Sequence, residues 1–222
     1  MNKTYSLSLA LVCIIIFSGN LSAQPGASPT DKTRRFLIRY IASFDTAQSD
    51  YVRGKIIKGT EMVAGTAKTD WISQYHAAYC NAITASRQSD TTSALPYLEK
   101  AKDYHRSADS LKKNESENVL LTGMIKHIHS ELDTTLREKL GAEVVKDYEK
   151  AKKLNPENPR VYLLMGERLL KLPEQAGGGK KKAKEMALTA LKKFEKDTHE
   201  DPAWPTWGKS RAEALLAKCD AK

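Results

Sequence analysis

Gly177-Gly178-Gly179 running into Lys180-Lys181-Lys182 is the stretch whose residue types come nearest to binding chemistry. Glycines leave backbone N–H groups open, and neighbouring ammonium groups add positive charge, so Gly178, Gly179, Lys180, Lys181 and Lys182 form a candidate anion site. The occupant implied is an anionic envelope polymer or a lipid head group. The competing reading is a flexible turn into a solvated basic helix, because lysines at a helix N-terminus oppose its dipole. Residues 171–193 carry seven Lys against two Glu, so charge concentrates here whichever reading holds.

The other chemistry-bearing residues are dispersed. His127 and His129 are two apart, which places them on different sides of a helix, and His76, His105 and His199 have no companions at metal-ligand spacing. The phosphate-loop, dinucleotide, nucleophile-elbow, H-E-x-x-H and C-x-x-C signatures are all missing, so neither an enzyme nor a bound cofactor or metal is expected. Trp71, Trp204 and Trp207 offer rings for stacking sugars or peptides, but their helical spacing favours core packing.

These residues sit in a chain of 222 residues with Lys plus Arg 36, Asp plus Glu 27 and a net charge of +9. At 41% hydrophobic, with 12 Gly and 8 Pro, it can bury a real core, which excludes wholesale disorder and collagen-like structure. Three cysteines are too few for a disulfide-built miniature fold.

Residues 1–23 read as a secretory signal peptide: Lys3, an apolar run from Leu7 to Phe17, then small residues ending at Ala23. Cys13 lies inside the apolar run behind Val12, which argues against a lipoprotein. Residues 24–30 read as a flexible leader. No later stretch approaches the roughly 18 apolar residues of a membrane span, so an exported chain, periplasmic or secreted, without a transmembrane span is expected. Export makes nucleic acid an unnatural partner. It also permits a bridge between Cys80 and Cys219, although a stacked array would hold them several hairpins apart and leave two buried thiols.

From Asp31 onward the apolar spacing is helical and no sustained alternation of period two occurs, so the expected fold is all-α. Helices are expected near residues 31–44, 47–65, 70–86, 93–113, 116–131, 142–154, 159–172, 180–197 and 203–219. Asn158-Pro159 and Asp201-Pro202 each combine a capping acceptor with a proline suited to the first helical position.

A repeat emerges from small residues at recurring positions. Val144, Tyr148, Ala151 and Pro156 precede Tyr162, Met165, Gly166 and Leu169, and the same pattern returns at Ala94, Leu98 and Ala101, at Ala183, Ala187 and Ala190, and at Trp204, Trp207 and Gly208. This resembles the tetratricopeptide repeat, whose period is about 34 residues. Gly123, Gly166 and Gly208 fall at the slot where two helices cross closely, and in the first hairpin the slot falls at Ala78 or, if Trp71 is the signature tryptophan, at Tyr75. The intervals run longer than the period, so insertions are expected at residues 133–141 and 173–179. Trp71, His76 to Cys80, Gly177 to Lys180, Pro205 to Gly208 and Leu215 to Cys219 together resemble a largely uncharacterised family of exported tetratricopeptide proteins of Bacteroidetes-type bacteria, over roughly residues 60–219.

The resemblance implies antiparallel helical hairpins stacked as a right-handed solenoid over residues 70–222, behind an N-terminal helical segment at 31–69 and closed by a capping helix. It also implies a groove along the first helix of each hairpin, at Leu163, Glu167 and Leu170, at Leu120, Met124 and His127, and at Tyr75 and Tyr79 if Ala78 holds the small slot. The function expected on that basis is non-catalytic capture of a protein or peptide partner, as an extended segment or a helix.

Overall fold

The computed structural model describes residues 31–221 apart from 46, 48 and 114. The expected leader sequence lies outside the described residues. Nine α-helices follow in order among them: α1 (Asp31–Phe44), α2 (Asp50–Thr66), α3 (Trp71–Ser86), α4 (Thr91–Leu111), α5 (Ser116–Leu132), α6 (Arg137–Leu154), α7 (Pro159–Lys171), α8 (Lys180–Phe194) and α9 (Lys209–Asp220). No strand occurs among the described residues, and none of these helices is long and apolar enough to cross a membrane.

Short polar side chains start several of the helices. Asp70 accepts from the Ser73 amide at 3.1 Å, Asp90 from Ser93 at 2.9 Å, and Asn158 from Arg160 at 3.0 Å with Pro159 in the first turn. Each satisfies an amide that the helix itself leaves unbonded.

The helices pack as hairpins α3–α4, α5–α6 and α7–α8, with α1–α2 against α3 and α9 closing on α8 and α7. The first helices α3, α5 and α7 lie side by side, while the second helices present alanines to them: Ala101, Ala151 and Ala190 are completely buried. Where α5 meets α6, a Cβ on Gly123 would stand 2.6 Å from the Tyr148 ring. Where α7 meets α8 and α9, a Cβ on Gly166 would stand 2.8 Å from Leu215 and 3.0 Å from Met186. The missing side chains let the helices approach.

Two boundaries differ from expectation. The segment 133–141 is not a loop: a 3-10 turn at Thr134–Leu136 leads directly into α6, which begins at Arg137. Of the inserted residues, Arg137, Glu138, Lys139 and Leu140 are good helix formers, and they lengthen the helix. The last helix begins at Lys209 and not at 203. Asp201 is not a helix cap; its side chain accepts from the Ala203 amide and its carbonyl from Trp204, both at 2.9 Å, closing a tight turn. Gly208 then takes φ +110°, a left-handed conformation at which the chain changes direction before α9.

The resulting loop, residues 201–208, folds back onto the hairpins. Trp204 packs edge-on against Trp71 with centroids 5.3 Å apart, Lys112 lies over both rings, and His199 stacks on Trp204. His76 donates from Nε2 to the Ala203 carbonyl at 2.7 Å. Arg34 pairs with both Asp70 and Asp201.

A polar chain crosses the apolar interior. Trp207 Nε1 donates to the Tyr75 hydroxyl at 2.9 Å, and that hydroxyl donates to Glu117 at 3.1 Å. Glu117 also accepts from Arg160 Nε at 2.8 Å and Asn158 at 2.7 Å, while Arg160 reaches Asp197 at 2.8 Å. Glu117 and Arg160 side chains are 2% and 1% exposed, so neither charge is tolerable without the other. The chain ties α3, α5 and α7 to the loop.

Cys80 and Cys219 are both buried and unbridged. Burial pushes both thiols above their ordinary pKa, which disfavours the thiolate.

Candidate ligand groove

The apolar face of each first helix continues past the core and opens to solvent near its C-terminal end. There Tyr79 and Ile83 of α3, Met124, His127 and Ile128 of α5, Leu164, Glu167 and Leu170 of α7, and Arg211 and Leu215 of α9 line one cavity of about 410 Å³. Small-molecule sites span about 300–1,000 Å³. Tyr148 of α6 reaches the same cavity from the outer layer.

Five residues expected at a groove are in this lining: Tyr79, Met124, His127, Glu167 and Leu170. The other three, Tyr75, Leu120 and Leu163, are fully buried. Each lies one helical turn before a lining residue, so the residues chosen by periodicity are divided between an open cavity and the packed interior. Over Tyr75 and Leu163 the cover is the loop carrying Trp207, whose ring stacks on Tyr79 and whose indole bonds Tyr75, and Gly208, where a Cβ would stand 2.9 Å from Leu163. The loop plugs the N-terminal half of the groove.

Charge is distributed in pairs along the open half. Arg211 meets Glu167 through Nε at 3.1 Å and Nη2 at 2.6 Å, and its guanidinium lies 5.4 Å from the centroid of the Trp207 ring. Lys171 pairs with Glu131. The Tyr79 hydroxyl donates to Asp45 at 3.0 Å; burial holds the Asp45 carboxyl above the usual carboxylate range, against the lowering effect of that bond. His127 is held below its ordinary pKa by burial, which outweighs the pull of Glu131, so the ring is neutral at pH 7. Arg87 and Lys218 add positive charge to the lining.

Two further cavities adjoin this one. One of about 440 Å³, between the end of α1, α3 and the 206–210 segment, shares Asp45 and Tyr79 with it. Another of about 570 Å³, against α6, shares His127, Glu131 and Lys171. The three make a trough across the first helices.

The glycine segment has other duties. Gly177 N–H bonds Glu174 at 2.9 Å, Gly178 bonds Pro173 at 3.1 Å and Gly179 bonds Leu169 at 2.9 Å. The three amides are spent within the turn. Lys180 and Lys182 donate to the Ala221 and Gly177 carbonyls, and Lys181 is exposed, so what this region offers is solvated charge. Among the described residues no group of three His, Cys, Asp or Glu is placed to hold a metal ion.

Arg211 and Tyr148 were not expected at the groove. Tyr148 reads in the sequence as a packing residue of a second helix, and only the gap at Gly123 lets its ring cross to the other side. Arg211 arrives through the turn at Gly208, which local spacing does not announce.

No family model matches the chain, and no curated protein does. Among solved structures it is similar to the HusA haemophore from Porphyromonas gingivalis, with a TM-score of 0.72 and 28% sequence identity over 84% of this chain and 92% of that one. That neighbour is a binding protein and not an enzyme, and it comes from a Bacteroidetes bacterium.

Proposed function

We propose that this protein is a non-catalytic carrier that takes haem or a related porphyrin as cargo in the groove between α3, α5, α7 and α9. The observation that carries this reading is the coincidence of a cavity of small-molecule size on the face of the first helices with likeness to a haemophore over most of both chains. Tyr79, Ile83, Met124, Ile128, Leu164 and Leu215 supply the apolar and aromatic walls that a flat macrocycle requires. Arg87 and Lys218 supply positive charge suited to its carboxylates. The capture of an extended peptide, implied by the repeat resemblance, fits this groove less well, because Trp207 and Gly208 occupy half of its length. An exported location, periplasmic or secreted, belongs to the same reading and rests on the leader pattern of residues 1–23.

Titration of the purified protein with haemin and with metal-free protoporphyrin IX, followed by the Soret band and by quenching of tryptophan fluorescence, tests it. Saturable binding of both is expected, with Leu170→Glu weakening it at least tenfold while helicity is kept. A Soret band unchanged from free ligand, with no saturable quenching, would reject the reading.

A further inference from the structure

Two hydrogen-bond donors at the floor of the groove are unused. The Tyr148 hydroxyl and Arg211 Nη1 are each buried without a hydrogen-bond partner, and both residues line the same cavity. An unmade hydrogen bond on a buried donor is costly, so two such donors on residues that line one cavity are suited to an acceptor supplied from outside the chain. Tyr148 is only 1% exposed, and the absence of a side chain at Gly123 is what allows its ring to reach this floor. Of the charged groups around it, Glu167 and Arg211 act on it most strongly. Arg211 spends Nε and Nη2 on Glu167, and the Tyr79 hydroxyl, which donates to Asp45, lies beside the guanidinium.

We propose that Tyr148 and Arg211 together receive a carboxylate of the bound ligand, the phenol O–H and the Nη1–H each donating to one carboxylate oxygen. An anion is the fitting acceptor: Arg211 is cationic, its Glu167 partner leaves Nη1 of the guanidinium unbonded, and a carboxylate offers two oxygens, one for each donor. The groove then selects an apolar ring system carrying at least one acid arm, and discriminates against the same ring without it. This rests on the groove reading above and adds to it the chemical group that orients the cargo.

The test compares protoporphyrin IX with its dimethyl ester, the same macrocycle without ionised acids, on the parent protein and on Tyr148→Phe. Tyr148→Phe removes a hydroxyl that bonds nothing in the free protein, so its thermal midpoint is expected to equal or exceed the parent's. The diacid is expected to bind the parent about tenfold or more tightly than the ester, as for hydrogen bonds to charged groups. In Tyr148→Phe the diacid should lose about tenfold while the ester is unaffected. Equal binding of diacid and ester by the parent, or a diacid affinity unchanged in Tyr148→Phe, overturns the inference and leaves the groove reading standing. Failure of the parent to bind either porphyrin defeats that reading, and the inference with it.

Discussion

The Trp207 ring lies nearly parallel to Tyr79, with centroids 4.6 Å apart and planes 19° from coplanar. One edge of the same indole bonds Tyr75 a turn earlier on α3, while the Arg211 and Arg160 guanidiniums flank it. A single side chain thus divides the first-helix face into a sealed half and an open one.

Trp207→Ala should remove that divider. Emptying a site only 6% exposed costs about 3–5 kcal/mol in most cores, and the Tyr75 hydroxyl loses a donor as well. Urea unfolding is expected to show a loss in this range, with Trp207→Phe recovering most of it. A midpoint unchanged in Trp207→Ala would mean that the loop is not packed as described.

Two glycines should respond in opposite directions. Gly166→Val places a branched side chain against Leu215 and Met186 and is expected to cost about 2 kcal/mol or more. Gly65 lies within α2 with nothing within 4 Å of its absent Cβ, so Gly65→Ala should gain about 0.5–1 kcal/mol through helix propensity. Thermal melts of the pair decide whether helix crossing at Gly166, rather than glycine content, limits stability.

Acid should loosen the protein through His76. Burial lowers its pKa from 6.5 to about 4, against the opposing effect of the Ala203 carbonyl. A depressed folded pKa means that the unfolded chain takes up the proton first. Stability contributed by the neutral ring is therefore complete above pH 6.5 and declines as pH falls toward 4, by up to about 3 kcal/mol. His105 and His127 are depressed as well and steepen the decline. Denaturant midpoints at pH 7 and pH 4.5 should differ accordingly, and His76→Gln should reduce the difference. Identical pH slopes in parent and variant would show that His76 does not carry the effect.

How far the sequence discloses this molecule depends on the range of the contacts involved. The hairpins were legible because Ala101, Ala151, Ala190 and Gly166 recur at helical spacing and each contact is made with the neighbouring helix. Tyr79, Met124, His127, Glu167 and Leu170, which follow from the same periodicity, line the open cavity. The sealed half was not legible. Trp204, Trp207 and Gly208 have the spacing of another first helix, yet Asp201 closes a turn and Gly208 bends left-handed, so the segment becomes a loop. Its decisive bonds join residues 132 and 127 positions apart, beyond the reach of any local pattern. Tyr148 and Arg211 were missed for a related reason: an unused donor is a property of its surroundings, and nothing in residue type or spacing announces it.

The gap at Gly123 has a consequence for which changes the molecule tolerates. Helices α4, α6 and α8 form an outer layer whose solvent side carries exposed Leu95, Val145 and Leu188. Among the described residues, Tyr148 is the one side chain of these three helices that lines the groove. The outer layer can therefore diversify, lengthen as α6 has done, or acquire new surface partners while the cargo's surroundings stay constant. Within the groove itself the two histories meet at the aperture above Gly123, and a larger residue there would shut Tyr148 off from the cargo.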